Sequence, residues 1–336
     1  MKNKEKTMKP RLRWLAALAG ILALLGAAAP AWSAAAEGKF ERTLQVTGPV
    51  ELDVTTGSGN ITVSPGEPGR VLVRGFIHAS RDWLGGDRSP EEKVRALEAN
   101  PPLVQTGNII RIGTIEDREL RRNVSISYEL VVPVETRLKS DTGSGSQTIQ
   151  GIRGPVKAGT GSGDLRLSDI GGDVDGDTGS GDIELDGIRG NVVADTGSGS
   201  IRALGIHGGF TADTGSGDVT LEQTGPGEVK VDTGSGSVEI RGAAGTVWAE
   251  TGSGNVSAEG KPAGPWKLST GSGSIRLRVP AGVGFDFHAR TGSGEIYTAG
   301  PITVQGALKR DNLRGQVRGG GVLIELETGS GNIRIE

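Results

Sequence analysis

The residues with the most evident capacity for chemistry are carboxylates set at a regular interval. Asp141, Asp177, Asp195, Asp213 and Asp232 each stand immediately before a Thr-Gly-Ser-Gly tetrapeptide, and Asp164, Asp182 and Asp218 each stand immediately after one. Carboxylates in such a row could act as acid and base, ligate a cation, or accept hydrogen bonds from the backbone of the adjacent turn. Acid–base catalysis needs titratable groups gathered in one cleft. Here the three histidines, His78, His207 and His288, are far apart in the chain, there is no cysteine, and the acids are evenly spread. No catalytic residue is expected, and no cofactor.

Calcium takes several carboxylate and carbonyl oxygens. A stacked column of Asp177, Asp195, Asp213 and Asp232 is therefore the candidate cation site. Gly, Glu, Ser and Arg occupy the same place elsewhere, at Gly159, Glu250, Ser269 and Arg290, and the glycine-rich nonapeptide of calcium-binding repeats is absent. The reading preferred for these aspartates is an Asx turn, with each side chain accepting from its own turn's N–H groups. No bound metal is expected. The glycine-rich turns are not phosphate loops, because strands rather than a Lys-Ser/Thr pair or a helix follow them. A ladder of turn hydroxyls facing ice or sugar is a further, disfavoured reading. Trp248 falls between Val247 and Ala249 at an outward strand position, and is the candidate for stacking on a sugar. Trp266 is expected to face inward. The Asn-x-Ser/Thr matches at Asn60, Asn123 and Asn255 are read as chance.

The elements that must position these groups follow from the repeat. Thr-Gly-Ser-Gly begins at Thr56 and then at Thr142, Thr160, Thr178, Thr196, Thr214, Thr233, Thr251, Thr270, Thr291 and Thr328; from Thr142 the steps are 18, 18, 18, 18, 19, 18, 19, 21 and 37 residues. Self-similarity at a fixed period is the mark of a solenoid. Within the unit 178–195, Ile183 and Leu185 alternate with Asp182 and Glu184, and nine residues on Val192 and Ala194 alternate with Asn191, Val193 and Asp195. Period-2 alternation makes each a strand with one buried face. Ile188 fills a corner. The expected fold is all-β: a single-stranded parallel β-helix of about 18 residues per coil, right-handed by the crossover preference of parallel strands.

The register can be checked from charge. The outward position of the first strand reads Arg166, Glu184, Arg202, Thr220, Glu239, Ser257, Arg276 in successive coils, and Lys157 falls beside Asp175. Opposite charges directly across a sheet are favourable and like charges are not, so the order fits in-register stacking. The turn glycines are expected to supply positive φ at the corners. The 37-residue step is read as two coils, with Gly319-Gly320-Gly321 as a degenerate turn. The last strand, 332–336, is read as an open end, guarded by Arg334 and Glu336 or available for assembly.

Three segments are expected. Residues 1–36 read as a signal peptide: basic residues Lys2 to Arg13, an apolar run from Trp14 to Ala29, and small residues ending at Ala36. Residues 37–138 read as irregular N-terminal coils, with a loop-and-helix excursion at 79–107. Its helix would cover Pro90 to Asn100, N-capped by Ser89 and ended by Pro101. A separate small domain is the alternative for 37–138. Residues 139–336 are the regular solenoid. Removing 1–36 takes away six basic residues and one acid, leaving 31 against 39 and a net charge of −8. That balance argues against nucleic acid and anionic membrane surfaces as partners. After cleavage no stretch is long and apolar enough for a transmembrane anchor.

With the repeat established, the chain resembles a bacterial family of exported β-solenoids regarded as adhesins, akin to autotransporter-adhesin head domains. The resemblance rests on the unit Asp177 to Leu185, the lead-in Val124 to Pro133, and the close Gly319 to Ile333. It implies a solenoid and, by analogy of fold alone, adhesion. It implies no catalytic residue. The expected function is a non-enzymatic envelope binding scaffold in the periplasm, at the cell surface or outside, with a cell-surface polysaccharide or an envelope protein as partner. A self-assembling structural protein and a polysaccharide-active β-helix enzyme are the alternatives.

Overall fold

A computed structural model describes residues 35–81, 88–305 and 309–336. The segment expected as a signal peptide lies, up to residue 34, outside the described residues. Residues 35–336 form one compact unit, so residues 37–138 are not a separate domain. The unit starts slightly earlier than the boundary at 37, because Ala36 already pairs with Ala79.

Each regular coil contributes two short strands, and each strand follows from its alternation. In Ile183–Asp186, Ile183 and Leu185 point inward; in Val192–Thr196, Val192, Ala194 and Thr196 do; all five are buried. Neither strand could hide its apolar face alone. Stacking them in register produces two long ladders, one sheet of 14 strands and one of 15. The first contains Leu165↔Ile183↔Ile201 and the second Val174↔Val192↔Phe210. At about 4.8 Å per strand, the 15-stranded ladder runs roughly 67 Å. The outward order Arg166, Glu184, Arg202, Thr220, Glu239, Ser257, Arg276 is realised pair by pair.

The tetrapeptide has a specific mechanical role. Its threonine is an inward residue. Thr178 Oγ1 donates to the carbonyl of Gly163 in the preceding coil at 2.9 Å, and accepts the N–H of Gly181, in its own turn, at 3.1 Å. The same donation recurs from Thr142 at one end of the run to Thr270 at the other. These threonine hydroxyls are buried and form no ice- or sugar-facing ladder. The two glycines stand over those of the coil before. A Cβ at Gly179 would collide with the Gly161 carbonyl oxygen, and one at Gly181 with that of Gly163. The expectation of positive φ at these corners is therefore corrected for most of the tetrapeptides: the demand is for close approach. Positive φ is required at the other corner, in the column Gly151, Asp169, Gly187 and Gly205.

The N-terminal third combines one early coil with a mixed parallel and antiparallel cap. Val50–Thr56 and Ile61–Gly66 make the first coil, on which Thr136–Thr142 and Gln147–Gln150 stack directly. Between them the chain departs. Arg70–Ala79 runs antiparallel between Ala36–Gln45 and Val124–Pro133, and the last of these is laid parallel on Ile61–Gly66. Leu103–Thr106 and Ile109–Ile112 form a hairpin that closes the second sheet. The helix Pro90–Ala99 has the expected cap: Ser89 accepts from Glu92 N–H while Glu92 accepts from Ser89 N–H. It buries Val94 and Leu97, and Gly38 leaves the room that Val94 occupies.

The other end departs further. Phe285–Ser293 and Ile296–Thr298 do not stack on Trp266–Ser272 and Ile275–Arg278. Val322–Ser330 pairs with Trp266–Ser272 on one side and Phe285–Ser293 on the other, and Ile333–Ile335 lies between Ile275–Arg278 and Ile296–Thr298. The coil latest in sequence is thus inserted beneath the one before it. The 37-residue step is consequently not two stacked coils. It holds Asn312–Val317, antiparallel on Phe285–Ser293, and a turn through Gly319, Gly320 and Gly321 that passes the start of that strand. Arg318 donates to the carbonyls of Pro280 and Val283 there. The strand 333–335 has both edges paired, so it is no open assembly surface. The ladders end instead in very short strands, Thr303–Val304 and Ile296–Thr298, a common protection of sheet edges.

Candidate functional site

The two outward faces differ in how charge is arranged. On the first sheet a second outward column reads Glu222, Arg241, Glu259, Arg278, with signs alternating at every step. Arg166 reaches Glu184 and Asp164; Arg278 reaches Glu259 and Glu336. This face largely neutralises itself.

The second sheet does so only in part: Lys157 pairs with Asp175, Lys139 with Asp141 and Arg290 with Glu327, but one column is left uncompensated. The pre-turn aspartates form the column expected from the repeat: Asp177, Asp195, Asp213 and Asp232 are adjacent in register, and Glu250 continues it. Five acids follow one another with no intervening cation. Burial, with the charges of Asp213, Asp177 and Asp175, pushes the Asp195 carboxyl above the ordinary range. The turn's N–H groups go to threonine oxygens, as at Gly199 N to Thr196 Oγ1, so the Asx-turn reading of these aspartates is corrected. Among the described residues no group of three or more His, Asp or Glu is arranged to hold a metal ion. The column is a straight row with side chains about 4.8 Å apart, and it does not wrap a common centre.

The acids after the turn do something different. Asp164 accepts from the N–H of Asp182, Asp182 from that of Ser200, and Asp218 from that of Ser237. Asn60 and Asn255 take the same part, accepting from Ser146 and Ser274. Each side-chain oxygen thus satisfies a backbone donor in the next coil, a role that sequence reasoning did not assign. The signal was available as the restriction of that position to Asp, Asn, Ser and Glu.

Beside the acid column, two residues earlier in each strand, lies Trp248. It is outward and half-buried in Val247–Ser253, between Lys230 and Lys267 in register. The Lys230 ammonium sits 4.9 Å from the indole centroid, a cation–π distance. Trp266 is buried in the neighbouring coil, with its indole N–H donated to Gly245 at 2.9 Å. The site is therefore a flat strip: an aromatic ring between two cations, flanked by the carboxylates of Asp232 and Glu250. A broad shallow groove of about 460 Å³ continues the same face toward the N-terminal cap, past exposed Val193 to Lys157 and Lys139. Such a surface can stack on a ring and hold polar groups along a line. The histidines remain dispersed: His78 lies 3.6 Å from Glu37, and His288 pairs with Asn312.

These features define a parallel β-solenoid with one largely self-compensated face and one that carries an unbroken column of acids. Residues 173–336 match the family model described as Toastrack, DUF4097, a domain of unknown function. Among solved structures, the chain is similar to a candidate cell adhesion protein from Clostridium sporogenes at 12% identity, covering 89% of this chain and 99% of that one, with a TM-score of 0.22. It is similar also to a candidate adhesin from Bacteroides fragilis at 14% identity, covering 89% and 97%, with a TM-score of 0.32. No curated protein sequence matches the chain. Among the described residues no helix is long and apolar enough to cross a membrane.

Proposed function

We propose that the chain is a non-enzymatic, exported scaffold of the cell envelope that binds a surface polymer or envelope protein along the outward face of its second sheet. The observation that carries this reading is the strip Lys230–Trp248–Lys267 beside Asp232 and Glu250. It is an outward, half-buried aromatic in a charged row on a backbone that the ladders hold rigid. Rigid placement lowers the ordering cost of binding, so a modest set of contacts can suffice. The dispersal of the histidines and carboxylates supports a binding role over catalysis, and the basic and then apolar N-terminal segment supports export. The test is retention of envelope polysaccharide and envelope-protein fractions by the immobilised chain. Retention is expected, and Trp248→Ala is expected to weaken it at least about tenfold, since a stacked aromatic is commonly worth more than 1.4 kcal/mol. No retention of any fraction, or turnover of the polymer, would overturn the reading.

A further inference from the structure

The self-compensating order of the first sheet fails at one place. Arg276 and Arg334 lie directly beside each other in register, and Tyr297 follows in the same column. Adjacent like charges on a sheet are unfavourable, and a local rule broken without structural compensation marks a place to look for a ligand. Among the described residues Arg276 makes no ion pair. Arg334 is 3.8 Å from Glu336, which Arg278 already holds at 3.1 Å.

The surroundings supply mostly donors; the nearby Glu295 carboxylate is engaged by the Tyr297 hydroxyl, which donates to it. A groove of about 410 Å³ runs between these residues and Asn255, Ser274 and Asn332. The Oδ1 of Asn255 is taken by the N–H of Ser274, and that of Asn332 by the N–H of Glu295. Those bonds fix the orientation of both amides and leave their NH2 groups to the groove. The Ser274 hydroxyl oxygen accepts from Asn332 N–H, so its proton is likewise available. Two guanidinium groups, two amide NH2 groups and a hydroxyl therefore line one depression. The Tyr297 ring is 43% exposed; the Arg334 guanidinium lies 5.8 Å from its centroid, and its strand is the edge of the sheet.

We propose that this groove binds a carboxylated sugar unit of an acidic polysaccharide. The arginines would grip the carboxylate through charge-assisted, fork-shaped hydrogen bonds. The amides and the hydroxyl would bond ring oxygens, and the tyrosine would stack on the apolar face of the sugar. A bare phosphate or sulfate would use the arginines and leave the ring and the groove length unused. The chain's net charge is −3, so nothing draws an anion here from a distance and recognition must be local. The proposal rests on the binding-scaffold reading but uses the opposite face, so the two can fail separately.

The test is calorimetric titration of the purified full chain with trigalacturonate, its methyl ester and a sulfated oligosaccharide of equal length at physiological salt. The carboxylated trimer is expected to bind. The ester, the sulfated sugar and the double variant Arg276→Gln/Arg334→Gln are each expected to bind at least about tenfold more weakly, the loss corresponding to one charge-assisted bond. Thermal unfolding of the double variant should stay close to that of the parent, because the like-charge contact it removes offsets the loss of Arg334's exposed contacts to Glu336 and Tyr297; this separates loss of binding from loss of fold. Absence of binding by the carboxylated trimer, equal binding of the ester or sulfated sugar, or undiminished binding by the double variant would each overturn the proposal. If the double variant still retains envelope fractions through Trp248, the scaffold reading stands without this groove.

Discussion

Thr291 Oγ1 donates to the carbonyl of Gly331 at 2.8 Å, so a turn residue rests on a coil that comes forty positions later. The carbonyl of Gly273, which a simple repeat would assign to Thr291, is taken by Thr328. Chain order and spatial order are therefore exchanged for the final two coils.

This exchange makes deletion of residues 322–336 a severe lesion. An ordinary terminal coil could be trimmed at the cost of its own contacts. Here the deletion empties a layer between two others and exposes the faces that Ile324, Leu326, Ile333 and Ile335 cover. At about 1.5–3 kcal/mol per buried aliphatic side chain, the loss rivals the entire net stability of a typical protein, about 5–15 kcal/mol. The truncated chain is expected to lose its cooperative thermal transition, as followed by far-UV circular dichroism. A transition lowered by only a few degrees would contradict the inserted arrangement.

The buried threonine hydroxyls should matter more than their size suggests. Thr196→Val keeps the shape but strands the carbonyl of Gly181 and the N–H of Gly199. The expected cost is about 1–3 kcal/mol for each group left unpaired, read from urea unfolding. Thr196→Ser, which keeps the hydroxyl, should cost less than half as much.

Gly181→Ala is expected to be among the most damaging single substitutions in a regular coil, because its methyl group would meet the Gly163 carbonyl oxygen head-on. Ser180, exposed in the same turn, provides the control: Ser180→Ala should fall within about 0.5 kcal/mol of the parent. Similar midpoints for the two variants in chemical denaturation would remove close approach as the reason for glycine.

Asp195 supplies a pH signature. Its folded carboxyl is shifted upward, first by burial and then by Asp213, Asp177 and Asp175. The folded state therefore holds this proton more tightly than the unfolded chain does. The repulsive cost is present at neutral pH and fades as pH falls through the raised value toward the ordinary carboxylate range. Asp195→Asn should raise the unfolding midpoint at pH 7 by an amount in the range of cross-strand charge effects, about 0.2–1 kcal/mol. The gain should vanish below the ordinary carboxylate range. A gain that persists in acid would point to packing in place of charge.

Much of the regular solenoid was legible because one rule, period-2 alternation at fixed spacing, was repeated in nearly every coil. Ile183, Leu185, Val192 and Ala194 could be placed inward, and Trp248 outward, from that rule alone. In the N-terminal cap the helix was legible, down to the Ser89 cap, but the topology was not. Nothing local in Arg70–Ala79 distinguishes antiparallel from parallel pairing. The inserted coil was illegible for a related reason. Thr291 and Thr328 carry the same tetrapeptide, and identical turns cannot encode which of two equivalent layers each will occupy. The role of the turn threonine went unassigned because an outward aspartate beside it offered the same hydrogen-bonding chemistry. The Arg276–Arg334 juxtaposition was invisible for as long as the final coil was placed at the end.

The late placement of residues 322–336 also bears on how the molecule comes into being. Earlier layers can add one upon another in the order of synthesis, each short-range and fast. The layer that separates Trp266–Ser272 from Phe285–Ser293 is synthesised after both, so Phe285–Ser293 has no place on the ladder until that layer is made. The order of layers follows the order of synthesis through the regular coils and departs from it at the placement of residues 322–336. That step, more than the repeat, sets when the far end of the molecule becomes rigid.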